Sequence, residues 1–251
     1  EGAGIELHAV DLAADHGVPP GAARAALPAA PDLMGRARPL PFRLSLALLF
    51  AAALAVRLFG LDWDQGHAFH PDERRIAEAV GELSFAPLDL DPGFYAYGSL
   101  PMIATRAAAA LLSHVSPRFE GWQGAILAGR ALSALWGAAG CVLLALLGRR
   151  LFDARAGLLA GALLAIAVFP VQNAHFATND VALTTLVLAT LLLLARALDR
   201  PAPLTFAAAG VAAGLALATK ASAVTLLLPL ALAPLLAFLP ARRRGAAIAA
   251  L

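Results

Sequence analysis

The chain has 251 residues, 60% hydrophobic and 14% charged, with a net charge of +2 and a mean hydropathy of +0.75. Soluble domains carry about 25% charged residues, so these proportions exclude an ordinary soluble enzyme, and the apolar content excludes a disordered chain. A single cysteine, Cys141, excludes a disulfide framework and a cysteine-based zinc site.

Residues 1–33, rich in Ala, Gly and Pro without sustained periodicity, are expected to be an upstream extension or disordered tail outside the fold. Met34 is followed by a basic flank and then an apolar run, which reads as a retained anchor because no small-residue cleavage site precedes Asp62. At the other end, residues 245–251 open a further apolar stretch. The expected organisation is therefore the N-terminal part of a membrane domain over 34–251, with a C-terminal remainder absent.

About 20 apolar residues are needed to cross the hydrocarbon as a helix, since no water is there to satisfy the backbone. Candidate spans are 44–61, 125–147, 156–174, 181–195, 204–219 and 221–239. The segment 101–115 is a seventh candidate, short, opened by Pro101 and holding Arg106. If it lies along the interface, the cytoplasmic side receives Arg36, Arg38, Arg43, Arg149, Arg150, Arg155, Arg196, Arg200 and Arg242 to Arg244. If it crosses, Arg149, Arg150 and the 242–244 run fall outside. The positive-inside rule favours the first arrangement: six crossings, a cytoplasmic N-terminus and a long outer first loop.

That loop, 62–124, is too long for a simple connector. Its centre places Pro71 at a helix start, with Asp72 and Glu73 in the first turn, as a dipole-stabilised cap would. At 100° per residue, Ile76, Ala79, Val80 and Leu83 form one stripe opposite Arg74, Glu78 and Glu82, the pattern of a helix lying on a membrane surface. Asp72 falls within the apolar stripe and Glu73 at its edge, which makes Asp72 a candidate functional carboxylate. Tyr95 and Tyr97 follow in an ordered Pro- and Gly-containing turn, as belt anchors or as substrate contacts. His67 and His70 lack a known zinc spacing. Oxygen ligation of a divalent cation, Mg or Mn, by Asp72 and Glu73 fits better, because phosphate substrates bring such ions.

Between the third and fourth spans, Gln172, Asn173, His175, Asn179 and Asp180 gather at the outer edge. A polar turn capping two helices and a substrate-facing cluster both fit this segment. Lys220, the only lysine, falls at the same edge, where snorkelling is the alternative to function.

His70-Pro71-Asp72-Glu73-Arg74, the 94–101 segment, Gly129-Arg130 with its following apolar run, the 147–152 segment, the 175–180 segment and 214–222 occur in an order that resembles polyprenyl-phosphate-dependent glycosyltransferases. The chain is similar to family 39 of the GT-C superfamily, the group of protein O-mannosyltransferases and aminoarabinose transferases. The resemblance covers 34–251 and implies an all-α, polytopic membrane protein. Its fold would be a GT-C transmembrane bundle whose outer first loop carries interfacial helices, in a bacterial inner (plasma) membrane. It implies that a hexosyl or pentosyl group moves from a polyprenyl-phosphate donor to the hydroxyl of a protein, lipid or glycan acceptor, without nucleic acid. By match, Asp72 is the catalytic base with Glu73 beside it, and Asp180 is the second acidic position, preceded here by Asn179 where the family commonly has a hydrophobic residue. His175 and Tyr97 become substrate contacts, and Lys220, Arg130 or a divalent ion would face the departing phosphate. A transporter or flippase, and a non-catalytic assembly subunit, are the rival readings.

Overall fold

The computed structural model describes residues 40–237 and residue 239. The extension over 1–33, Arg36, Arg38, Arg242 to Arg244 and the terminal apolar stretch lie outside the described residues. The described chain is mostly helical: α1 (Phe42–Leu58), α2 (Pro71–Glu82), α3 (Leu100–Ser113), α4 (Gly121–Leu151), α5 (Ala154–Ile166), α6 (Val168–Asn173), α7 (Asp180–Asp199), α8 (Pro203–Leu217) and α9 (Leu227–Ala237). Two short 3-10 helices, Pro117–Phe119 and Ala221–Leu226, precede α4 and α9. Departing from a purely helical expectation, a hairpin of two-residue strands, β1 (Ser84–Phe85) and β2 (Leu88–Asp89), pairs antiparallel in the outer loop.

Among the described residues, α4 and α7 are long and apolar enough to cross a membrane. The other expected spans are helical but shorter, and two of them are interrupted: 156–174 breaks at Ala167, and 221–239 begins as the 3-10 helix. At 1.5 Å per residue α4 is roughly 46 Å long, well beyond about 30 Å of hydrocarbon. Its first turns are covered by α2 and α3.

The expectation that α2 lies on the membrane surface is corrected here. Ile76, Ala77, Ala79, Val80 and Leu83 are buried against Met102 of α3 and Ala125 and Ile126 of α4. The apolar stripe is satisfied by protein, and its edge turns far enough to bury Glu73 completely while Asp72 stays half-buried.

Further along the chain, α4 and α5 form a tight hairpin. Asp153 caps α5 by accepting from the Arg155 and Ala156 N–H groups at 2.7 and 2.8 Å. A Cβ on Gly157 would stand 2.3 Å from the Ala145 carbonyl oxygen, and one on Gly148 would stand 2.8 Å from the Gly157 Cα. The two backbones touch here because neither residue carries a side chain.

The break between α5 and α6 exposes carbonyls that would otherwise be bonded. Ala167 is extended, and Pro170 has no N–H to offer Ile166. Arg57, in the last turn of α1, supplies part of the deficit: its guanidinium donates to the Ala165 and Leu164 carbonyls and to Ala53, each at 3.1 Å. A cation thus meets the negative end of a helix dipole.

Replacing Gly157 with Val is expected to destabilise the protein by roughly 1–3 kcal/mol, the usual magnitude of overpacking. Gly210→Ala, where an added Cβ meets nothing within 4 Å, should leave the thermal midpoint unchanged or slightly raised. Melting curves of both variants in the same detergent check this.

Candidate active site

The long connection between α1 and α4 is organised by Arg130, fully buried in the third turn of α4. All five of its N–H groups are used. Nε and Nη2 donate to the two Glu73 carboxylate oxygens at 2.7 and 2.8 Å. Nη1 and Nη2 donate to the Asp64 carboxylate at 2.9 and 2.6 Å, and Nη1 also donates to the Leu61 carbonyl at 2.9 Å. Asp64 accepts in addition from the Gly66 and Ala68 N–H groups, holding Gln65 and Ala68 at φ values of 52° and 48°, a backbone region uncommon outside glycine. Glu73 accepts the Ala177 N–H at 2.9 Å. One cation with two carboxylates therefore ties α4 to the 61–68 turn, to α2 and to the connection between α6 and α7.

Around this hub the two polar clusters meet at Tyr97. The Tyr97 hydroxyl donates to Asp72 Oδ2 at 2.9 Å. The ring of the same residue meets a cation: Lys220 Nζ lies 5.4 Å from the centroid and donates to Asp180 Oδ1 at 2.7 Å. The bond to Asp72 is the main reason that the Tyr97 hydroxyl is held above its ordinary pKa, with burial and the charges of Asp72 and Asp180 adding to it. Tyr97 reaches this place because the Gly98 N–H donates to the Thr219 carbonyl and the Leu100 N–H to the Ala218 carbonyl, both at 3.1 Å. A Cβ at Gly98 would stand 2.0 Å from the Ala218 oxygen, so only glycine permits this seam between the outer loop and the turn before Lys220.

Of the residues expected to contact substrate, Asp72, Tyr97, Asp180 and Lys220 come together. Arg130 does not: with every donor engaged, it cannot face a departing phosphate in this arrangement, and that expectation is corrected to a positioning role. His175 is also spoken for, its ring nitrogens lying 2.8 and 2.9 Å from the Val171 and Phe59 carbonyls, so that it joins α6 to the end of α1. Glu73 does not share a ligand with Asp72. Consecutive helical residues point about 100° apart, and the Glu73 oxygens are occupied by Arg130 and Ala177. The residues present therefore do not fit a divalent cation shared by this pair, and among the described residues no group of three or more His, Cys, Asp or Glu could hold a metal ion. His67 stacks on Phe69 and His70 packs on Phe176.

Sequence reasoning missed Asp64 and Arg57. Arg57 carried a readable signal, being a charge inside an apolar span, which requires a buried partner. Asp64 sits in a polar turn and has no such signature.

The geometry can be set beside known proteins. The family model of dolichyl-phosphate-mannose-protein mannosyltransferases matches residues 123–249, half of the chain. The chain belongs to this mannosyltransferase family. The matched region holds Arg130, His175, Asp180 and Lys220, while Asp72, Glu73 and Tyr97 precede it. Comparison with curated proteins finds no match. Membership of the mannosyltransferase family makes this a membrane glycosyltransferase that uses a lipid-linked sugar donor.

Within this family member the Arg130 cluster makes a pH prediction. The Arg130 guanidinium, through hydrogen bonds and charge, outweighs burial and lowers the Asp64 carboxyl from 3.8 to about 2. A depressed carboxylate pKa stabilises the fold fully above the unfolded value, and that contribution is lost as the pH falls from about 4 towards 2. Arg130→Gln is expected to cost roughly 3–5 kcal/mol at neutral pH, because it strands two buried carboxylates, and to flatten this acid-side loss. Thermal melts of both proteins between pH 6 and 3 measure the two effects.

Proposed function

We propose that the protein transfers a hexosyl or pentosyl group from a polyprenyl-phosphate carrier to an acceptor hydroxyl at the outer membrane face, with inversion and with Asp72 as the base. The observation that carries this reading is the Asp72–Tyr97–Lys220–Asp180 chain, in which one tyrosine holds a carboxylate at its hydroxyl and an ammonium against its ring. A lipid-phosphate sugar keeps its tail in the bilayer and its anomeric carbon at the interface, so a base and a cation gathered around one tyrosine match its two reacting ends.

In the step itself, the acceptor oxygen attacks the anomeric carbon as its proton passes to the Asp72 carboxylate. The bond from that carbon to the phosphate oxygen breaks, and the oxygen leaves with the electron pair as polyprenyl phosphate, opposite Lys220. Tyr97, kept protonated, holds Asp72 Oδ2 and leaves Oδ1 for the acceptor. Asp180 orients Lys220, and Glu73 with Arg130 fixes the start of α2 from below. The acceptor is a protein, lipid or glycan hydroxyl.

The proposed topology has six crossings, formed by α1, α4, the broken α5–α6 pair, α7, α8 and the last 3-10 helix with α9. The ion pair between Arg150 and Asp199 supports it, because it sets the C-terminal ends of α4 and α7 at one level. Asp180 lies at the opposite end of α7. Arg149, Arg150, Arg155, Arg196 and Arg200 then face the cytoplasm of a bacterial inner membrane.

Asp72→Asn is expected to lower transfer from labelled polyprenyl-phosphate sugars at least 100-fold, the lower range of general-base effects, with unchanged membrane insertion. Transfer at the wild-type rate would remove Asp72 as base. For topology, single cysteines introduced at the exposed positions Glu78 and Arg155, against a buried Cys141, should react differently with an impermeant maleimide applied to intact cells. Position 78 should be labelled and position 155 should not.

A further inference from the structure

The last turns of α4 and α7 and the first turn of α8 enclose an open cavity of about 580 Å³, within the usual range of small-ligand pockets. Three guanidiniums line it, those of Arg150, Arg196 and Arg200, against one carboxylate, Asp199. Arg150 takes that carboxylate in an ion pair. Arg196 and Arg200 are exposed, and among the described residues neither has a carboxylate partner. Arginines at a helix C-terminus often cap its free carbonyls. Here the Arg196 carbonyl accepts the Arg200 backbone N–H, and among the described residues neither side chain donates to the end of α7. Two positive charges on the wall are therefore open to an anion.

The rest of the lining says what kind of anion fits. Leu193, Arg196 and Arg200 are spaced by three and four residues, so they share one face of α7 and its cap. Leu193 thus puts apolar surface beside the two charges, on the side towards the middle of the helix. Leu204 of α8, 81% exposed, continues that surface across the cavity. Thr205 adds a hydroxyl in the first turn of α8, and that turn brings the positive end of its helix dipole to the same wall. Both α4 and α7 are long and apolar enough to cross a membrane, so the charges stand where two such helices end and the leucines stand nearer the hydrocarbon. A soluble anion would use the first half of this arrangement and leave the second unfilled; an anionic amphiphile uses both.

We propose that this cavity binds an anionic phospholipid of the bilayer, with its phosphate held by Arg196 and Arg200 and its acyl chains against Leu193 and Leu204. On the topology proposed above the lipid comes from the cytoplasmic leaflet. The inference rests on the membrane reading. Asp180 lies at the far end of α7, roughly 30 Å of helix away, so the site is independent of which residue is the catalytic base.

The test is native mass spectrometry of the purified full chain in neutral detergent, titrated with phosphatidylglycerol, with zwitterionic phosphatidylethanolamine and with soluble glycerol 3-phosphate. Phosphatidylglycerol should bind at least 10-fold more tightly than either of the others. Equal binding of phosphatidylethanolamine would overturn the requirement for a net negative headgroup, and equal binding of glycerol 3-phosphate would overturn the role of the leucines. The double variant Arg196→Gln with Arg200→Gln should weaken phosphatidylglycerol binding roughly 10- to 100-fold, the effect expected of two basic residues facing an anionic headgroup; unchanged binding would overturn the site. Both side chains are exposed, so the fold should survive their loss. Arg196→Lys with Arg200→Lys keeps the charge count on which orientation depends and should recover part of the affinity, whereas binding as weak as that of the glutamine pair would overturn charge as its source. Arg155→Gln, an exposed arginine outside the cavity, should bind like wild type, and a loss as large as the double variant's would reduce the site to diffuse attraction and overturn it. A failed sugar-transfer reading is distinguishable, since Asp72→Asn should bind phosphatidylglycerol like wild type.

Discussion

The candidate site depends on one guanidinium. Arg130 spends all five N–H groups on two carboxylates and a carbonyl, and those acceptors come from the 61–64 turn and from the first turn of α2. Such a buried triad is weak evidence for stability as such, because removing three charges from water costs several kcal/mol per ion. Its value lies in register. The Asp64 turn, the first turn of α2 and Ala177 before α7 are bonded to one cluster, and the half-buried Asp72 is fixed one residue from the fully buried Glu73 as a result.

On that platform the proposed site is assembled by backbone as much as by side chains. The main-chain bonds from Gly98 and Leu100 to Thr219 and Ala218 bring a loop from the first half of the chain onto a turn more than a hundred residues later. Tyr97 then meets Asp72 through its hydroxyl and Lys220 through its ring, and Asp180 holds the lysine from α7. Four side chains from four separate stretches meet.

The helices were legible because bilayer-length apolar runs have few other uses, and Asp72, Asp180 and Lys220 stood out as charges at the edges of those runs. Glu73 and Arg130 were visible as residues but not as partners. A helical wheel assigns a residue to a face without saying what will cover it, and α2 is covered by protein, so the edge of its stripe is interior. Arg130 looked available for phosphate because nothing local to α4 could pair with it; its two carboxylate partners lie 57 and 66 residues earlier in the chain. The helix break at Ala167 was hidden inside an unbroken apolar run, although Pro170 marked it.

Arg57 has a history that the finished fold conceals. Two of the three carbonyls it caps lie 107 and 108 residues further along the chain, so α1 is made long before those acceptors exist. Until then only the Ala53 carbonyl, one turn back in α1, is there to receive it. The finished fold places the guanidinium at the end of α5, just ahead of the break at Ala167. The burial of a charge at the end of the first helix and the interruption of the fifth therefore answer one another.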